Sequence, residues 1–193
     1  MRPIFLIGFM GSGKTTLAKA VARATSLEFI DLDSYIENRF RKNIRDIFAR
    51  EGEARFRDME ARMLREVGEF ENVVVACGGG TPCFAGNIDY MNSRGLTVEL
   101  RASENRLHER LMKGRHKRPL IAGKNAEEVM AIIRKGLADR EPFYSRAAAS
   151  FDADRLDDAR QIEESTALFL KLMADNGLGD STPTTDLTIN PRT

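Results

Sequence analysis

The chain has 193 residues, 42% of them hydrophobic and 31% charged, a balance typical of one soluble globular domain with a substantial core. Its net charge of +1 gives no reason to expect a nucleic-acid or membrane partner, and no apolar run approaches membrane-spanning length. Two cysteines, Cys77 and Cys83, make no disulfide framework and are interpreted as free thiols. Since no stretch resembles a signal peptide, the sequence predicts a cytoplasmic protein.

The predicted elements alternate between strand and helix along the chain. The predicted strands are PIFLI (3–7), LEFIDLD (27–33), VVVAC (73–77), LTVEL (96–100) and the weaker ASFDA (149–153). The first predicted helix follows the first strand and ends near residue 25. The later predicted helices cover about 34–70, 84–93, 103–113, 126–140 and 158–173. This alternation predicts an α/β domain over 1–174, with a parallel sheet between two layers of helices. The tail 175–193, rich in Gly, Thr, Asp and Pro, is predicted to be mobile.

The stretch GFMGSGKTT, residues 8–16, matches the phosphate-binding P-loop pattern G-x-x-x-x-G-K-[ST]. It follows an apolar run typical of a buried strand and precedes Leu17 and Val21 at helical spacing. At such a helix N-terminus, free N–H groups and the helix dipole favour an anion. Lys14 would reach the terminal phosphates and the Thr15 hydroxyl would ligate Mg²⁺. The motif therefore predicts a nucleoside triphosphate site.

Two aspartates, Asp31 and Asp33, end the second predicted strand. Because side chains alternate along a strand, both carboxylates are expected on one side, toward the P-loop. Asp31 is a candidate for the outer shell of the metal, and Asp33 for accepting the proton of an attacking hydroxyl. The alternative is an Asp pair that caps the next helix, since DSYIE also suits a helix start.

Three further features predict a site for a small acidic acceptor. Arg57 and Glu60 are three residues apart on a predicted helix, so Glu60 could hold Arg57 as a bidentate reader of a carboxylate; an ordinary exposed ion pair is the alternative. The run GGG at 78–80 would bring backbone N–H groups close to a ligand, or form a tight turn. Arg140, in DREPFY, could supply a second cation to the acceptor.

The segment 113–125 is polar and basic, and Gly and Pro interrupt it, so it is predicted to be a loop. Its basic residues are Arg115, His116, Lys117 and Arg118. A loop of this kind suits a lid that closes over triphosphate and excludes water. The alternative is a solvated basic turn. Nucleic-acid binding would require a broader basic face with aromatic residues, which the sequence lacks.

Six motifs, GFMGSGKTT, DLDSYIE, FRDME, GGG, RPL and DREPFY, stand in the order and spacing found in shikimate kinases. The chain resembles that family from about residue 4 to about 155. The resemblance implies a nucleoside-monophosphate-kinase-like P-loop fold with a five-stranded parallel sheet of order 2-3-1-4-5. It also implies phosphorylation of the 3-hydroxyl of shikimate by ATP and Mg²⁺, a step in aromatic amino-acid biosynthesis.

The same resemblance assigns roles to individual residues. The shikimate-binding region implied is about 33–60, and the residues implied to bind shikimate are Asp33, Arg57, Gly79 and Arg140. The residues implied to bind ATP are Gly11, Ser12, Gly13, Lys14, Thr15, Thr16 and Arg118. Thr15 would ligate Mg²⁺ and Asp31 would reach it through water; Asp33, Lys14 and Arg118 would be catalytic. An arginine that contacts adenine is harder to align, and Arg155 is the candidate.

Two other functions stay open on the sequence. The Arg57 and Arg140 pair allows a kinase for another small hydroxy acid such as gluconate, although FRDME with GGG favours shikimate. A non-catalytic regulator that binds ATP and a metabolite would be expected to have a degenerate Lys14 or Asp33, and neither is degenerate. The expected partners are small-molecule substrates, and the expected state is a monomer.

Overall fold

The computed structural model describes residues 1–114 and 120–178, in which a five-stranded sheet lies between two layers of helices. The strands are β1 (Ile4–Ile7), β2 (Glu28–Asp31), β3 (Val73–Ala76), β4 (Leu96–Arg101) and β5 (Ala149–Asp152). The helices are α1 (Lys14–Ala24), α2 (Leu32–Phe40), α3 (Ile44–Val67), α4 (Asn87–Arg94), α5 (Glu104–Lys113), α6 (Ala126–Tyr144) and α7 (Ala159–Asp175), with a 3₁₀ turn at Thr81–Cys83. Among the described residues, no helix is both long and apolar enough to cross a membrane.

The strand order is β2-β3-β1-β4-β5, and every pair is parallel, which confirms the predicted order. The register places Phe5 of β1 between Val75 of β3 and Thr97 of β4. In a parallel sheet the carboxyl ends of the strands share one edge, and ligands bind in the crevice beyond that edge. The P-loop, the DLD aspartates and the glycine run therefore begin at the same edge.

The sheet separates two apolar cores. Phe5 and Ile7 of β1 belong to a core formed with α2 to α6, whereas Ile4 and Leu6 belong to a core formed with α1 and α7. This division follows from the alternation of side chains along a strand. All four residues are fully buried, as expected of a central strand covered on both faces.

The helical region predicted over about 34–70 is two helices. Arg41 adopts a left-handed conformation with φ 52°, and the side chain of Asn43 caps the next helix, so the chain turns between α2 and α3. Inside α3, Gly52 has φ 81° and ψ 171°, which breaks the helical path at that residue. Helix α3 is thus kinked before the segment that carries Arg57.

Helix α6 extends four residues beyond the predicted end at 140 and contains Pro142. Proline lacks the N–H that would continue the helical ladder. The helix nevertheless continues because Tyr144 is buried and the Ser145 N–H donates to the Glu141 carbonyl at 3.0 Å. The central part of the predicted lid, 115–119, and most of the predicted tail, 179–193, lie outside the described residues.

Candidate active site

The P-loop lies between β1 and α1, as predicted. Gly11 has φ 86° and Gly13 has φ 96°, conformations that residues with a side chain rarely adopt. At Gly13 a Cβ would also lie 2.6 Å from the Leu156 side chain, so a larger residue would clash there. Lys14 is the first residue of α1, and no side chain caps that helix. The first N–H groups of α1 are therefore available to an anion.

Lys14 lies across this loop. Its Nζ donates to the carbonyls of Gly8 at 2.8 Å and Phe9 at 2.9 Å, with Ser12 Oγ at 3.4 Å. Burial lowers the pKa of Lys14 from 10.5 to about 8, while nearby acids including Asp33 oppose that shift. An anion beside Nζ would favour the charged form further. A phosphate bound beside Lys14 would therefore stabilise the charged form of its side chain.

A cleft of about 320 Å³ opens beside the P-loop. Its wall is formed by Gly11, Gly13, Lys14, Thr15, Thr16, Arg110, Leu156 and Asp157. The predicted adenine contact, Arg155, is absent from this wall; it forms an ion pair with Glu164 on α7 at 2.6 Å, and its side chain is 65% exposed. Its neighbours Leu156 and Asp157 line the cleft instead.

Arg110 is a wall residue that the sequence reasoning missed. Its guanidinium binds Asp157 at 2.7 Å and the carbonyls of Ala153 at 2.9 Å and Asp154 at 3.0 Å. The same side chain lies 3.4 Å from the Gly11 carbonyl. It thereby connects the loop after β5 to the P-loop. Its partners are more than 40 residues away along the chain, so no local pattern could have indicated them.

Asp31 faces the P-loop at the end of β2. Its Oδ2 accepts from Thr15 Oγ1 at 3.2 Å, and its Oδ1 accepts from the N–H of Ser34 at 3.2 Å. Asp31 thus caps α2, as the alternative interpretation expected, and it also contacts Thr15, the predicted metal ligand. Among the described residues, no three His, Cys, Asp or Glu side chains form a metal cluster. Two oxygen donors beside a phosphate site nevertheless suit Mg²⁺, which keeps several waters and uses few protein ligands.

Asp33 lies in the first turn of α2, not on the strand, so strand alternation was the wrong reason for pairing it with Asp31. It reaches the crevice all the same: a Cβ at Gly78 would lie 3.1 Å from Asp33 Oδ1 and 3.3 Å from Glu60 Oε1. Burial, followed by the charges of Asp31 and Glu60, raises the pKa of Asp33 from 3.8 to about 6. The crevice therefore holds a carboxylate that is ready to accept a proton near neutral pH.

Arg57 is fixed in place by Glu60. Its Nη1 donates to Glu60 Oε2 at 2.8 Å, and Glu60 is buried and also accepts from Thr81 Oγ1 at 2.6 Å. The guanidinium lies over the ring of Phe84, 4.1 Å from its centroid. A second acid, Glu53, lies at 3.1 Å on the exposed side. The pair is thus a partly buried anchor and not an ordinary surface ion pair.

The glycine run ends β3 close to Arg57: a Cβ at Gly80 would lie 2.8 Å from Arg57 Nη2. Within the described part of the chain, none of the N–H groups of Gly78, Gly79 and Gly80 donates to a protein acceptor. The three glycines are partly exposed. Unpaired donors at the mouth of a crevice suit a small ligand rich in oxygen.

Arg140 projects from α6 over the ring of Phe9, with 5.0 Å between guanidinium carbon and ring centroid. Its Nη1 donates to the Gly136 carbonyl at 3.3 Å. It makes no ion pair with an acid in the ranges that the structure describes. The guanidinium thus retains donors for an anion. Of the other predicted site residues, Ser12 is buried within the P-loop, and Arg118 lies outside the described residues.

Comparison with known proteins identifies the family. The family model described as shikimate kinase matches residues 10–171. A shikimate kinase of Phocaeicola vulgatus is 53% identical over 165 residues, which cover 86% of this chain and 94% of that protein. A crystal structure of shikimate kinase from Bacteroides thetaiotaomicron has a TM-score of 0.87 and 47% identity, covering 90% of this chain and 98% of that one. The structure of the Acinetobacter baumannii enzyme in complex with shikimate has a TM-score of 0.77 and 28% identity, covering 91% and 94%. Because the family model matches most of the chain and a relative over half identical covers 86% of it, this chain belongs to the shikimate kinase family.

Proposed function

We propose that this protein transfers the γ-phosphoryl group of ATP to the 3-hydroxyl of shikimate. The observation that carries the proposal is the closeness of four charged groups: Asp33, whose pKa is raised, and Arg140 both act on the charge of the P-loop residue Lys14, while Asp33 and Arg57 lie beside Gly78 and Gly80 of one glycine run. Shikimate has one carboxylate and vicinal hydroxyls, so it requires a cationic anchor and an acidic group near the phosphate. Both requirements are met within one chain.

The nucleotide would lie in the cleft beside α1. Residues 11–16 would surround the phosphates through the N-terminus of α1, and Lys14 would meet the charge on the β- and γ-phosphates. Arg110 and Leu156, which line the same cleft, would contact the base or ribose. Arg118, on the lid, would add charge when the lid closes over the triphosphate. Arg155 stays a weaker candidate because its side chain is paired with Glu164.

The acceptor would lie between α2, α3, α6 and the glycine run. Arg57 and Arg140 would bind the shikimate carboxylate, Arg57 through a bidentate pair. The free N–H groups around Gly79 would bind its oxygens. Asp33 would orient the 3-hydroxyl and accept its proton. With a pKa of about 6, Asp33 is largely ionised at neutral pH and still basic enough to take part in the transfer.

Mg²⁺ would be held by Thr15 directly and by Asp31 through water, since these two oxygens lie 3.2 Å apart beside the phosphate site. When bound, the ion would offset negative charge on the phosphates. The protein would act as a monomer, because every group assigned to the crevice comes from one chain. The free thiols of Cys77 and Cys83 are consistent with the cytoplasm as its compartment.

The test is ADP release with ATP, Mg²⁺ and a panel of hydroxy acids that includes shikimate, quinate and gluconate. We expect release with shikimate far above the others. Arg57→Ala should raise the shikimate KM more than it lowers kcat, because its contact would exist in both ground and transition states. Arg62→Ala, an exposed position on the same helical segment after Gly52, is the matched control and should leave both constants unchanged. Equal release with gluconate would favour the alternative kinase, and no release with any acid would favour the regulator.

A further inference from the structure

Tyr144, at the end of α6, contacts the glycine run formed by residues 78–80. Its hydroxyl donates to the Gly79 carbonyl at 2.6 Å, across 65 residues of sequence. The side chain is 1% exposed, and burial raises the pKa of Tyr144, so the phenol keeps its proton and acts as the donor. None of the roles assigned above uses this hydroxyl, and an apolar ring alone would fill the same space.

The hydrogen bond fixes the orientation of one peptide group. The Gly79–Gly80 peptide is planar and trans, so its N–H points away from its carbonyl. With the carbonyl held by Tyr144, the N–H of Gly80 points to the side opposite the phenol. The carbonyls of Gly78 and Gly80 accept from the backbone N–H groups of Thr81 at 3.1 Å and Cys83 at 3.0 Å, whereas the Gly79 carbonyl accepts from the Tyr144 side chain. The orientation of the Gly80 N–H therefore depends on a bond from outside the run.

The same helix carries an acceptor contact. Arg140 lies four residues before Tyr144, so both side chains project from one face of α6. Arg140 rests on the P-loop residue Phe9, while Tyr144 holds Gly79. One helix thus sets the distance between the cation on one side of the acceptor and the backbone donors on the other.

We propose that Tyr144 is a positioning residue for the acceptor: its hydroxyl holds the Gly79–Gly80 peptide so that the free N–H of Gly80 faces the substrate. This inference rests on the proposed function. It assigns no chemical role to Tyr144, which touches neither substrate nor reacting atoms. It predicts an effect on acceptor binding that is separate from catalysis and from nucleotide binding.

The test is Tyr144→Phe, which removes the hydroxyl and keeps the ring. We expect the shikimate KM, and the calorimetric Kd for shikimate, to rise about five- to ten-fold, the loss of one neutral hydrogen bond, with kcat and the ATP KM within two-fold of wild type. The control is Tyr90→Phe, because the Tyr90 hydroxyl also donates to a backbone carbonyl, that of Arg65 at 2.9 Å, but away from the crevice. It should leave the shikimate KM unchanged.

A second measurement separates positioning from general loosening of the fold. In amide NMR spectra without ligand, Tyr144→Phe should shift the Gly79 and Gly80 resonances and leave those of α7, which packs in the other core, in place. An unchanged shikimate KM in Tyr144→Phe with active wild type would overturn the inference alone. Parallel losses in kcat and in both KM values would also overturn it, since they indicate a structural role. An inactive wild type would overturn the proposed function and this inference together.

Discussion

Removing Arg57 should destabilise the fold as well as weaken acceptor binding. Its Nη1 lies 2.8 Å from Glu60 Oε2, and the side chains are 18% and 1% exposed. Alanine at position 57 would leave a buried carboxylate whose remaining side-chain partner is Thr81, at 2.6 Å. A buried charge that loses its counterion keeps its desolvation cost without the pairing that offset it.

The size of the loss follows from this burial. Removing one partner of a buried ion pair costs ~3–5 kcal/mol. The retained Thr81 bond and the partial exposure of Arg57 place the expected loss of unfolding free energy at the lower end, about 3 kcal/mol. Lys135→Ala is the control. It breaks a 2.7 Å pair with Asp139 whose side chains are 77% and 58% exposed, so we expect ~0.5 kcal/mol or less.

Urea unfolding at pH 7 measures both values, and a double variant tests the cause. Adding Glu60→Gln to Arg57→Ala removes the stranded charge, so the double variant should recover stability relative to Arg57→Ala alone, with a coupling of about 1–3 kcal/mol. A loss below about 1 kcal/mol for Arg57→Ala, close to that of Lys135→Ala, would refute the reasoning from burial.

Three further predictions concern the other groups of the crevice. Asp33→Asn should stabilise the fold more at pH 8 than at pH 4, by up to ~3 kcal/mol. The pKa of this carboxyl rises from 3.8 to about 6 on folding, so the wild-type fold loses stability as the pH rises through that window. A difference in urea unfolding between variant and wild type that does not depend on pH would contradict this. The same variant should lower kcat ~10²–10⁴-fold with ATP binding intact, and a small kcat loss with a large KM rise would indicate a positioning role instead. Lys14→Ala should fold normally and lose a few hundred-fold in turnover, ~3–4 kcal/mol of transition-state stabilisation, and near-wild-type turnover at saturating ATP would count against its role. Nucleotide and shikimate together should slow amide exchange over 113–125, and Arg118→Ala should lower both kcat and nucleotide affinity; equal exchange with and without ligands would leave an ordinary surface loop.

The features that the sequence predicted well depend on local patterns. Short apolar runs alternating with amphipathic stretches predict a parallel sheet, and the positions of the strand ends predict that the P-loop, the DLD aspartates and the glycine run meet at one edge. The contact between Arg57 and Glu60 was predicted because residues three positions apart on a helix are neighbours on its surface. In each case the partners lie close in sequence or at the ends of strands.

The features that the sequence missed depend on contacts across the fold. Arg110 lies 47 residues from Asp157, and Tyr144 lies 65 residues from Gly79, so neither contact leaves a pattern in a short window. Asp33 was placed on a strand because LEFIDLD continues the apolar alternation, whereas Asp31 caps a helix that starts one residue later. A cap and a strand end use the same residue types, and packing decides between them.

The two cores on opposite faces of the sheet have a consequence for how this protein can be altered. Every group assigned to the acceptor lies on helices α2, α3 and α6 or on the glycine run, over one core, whereas α1 and α7 cover the other. Substitutions that fill space around Phe169 or Met173 would therefore change the packing of a core that contains none of the residues assigned to the acceptor. Thermal stability could therefore be raised by substitutions in the core next to α1 and α7, while substrate preference is changed in the residues over the other core. The central sheet separates the two sets of side chains.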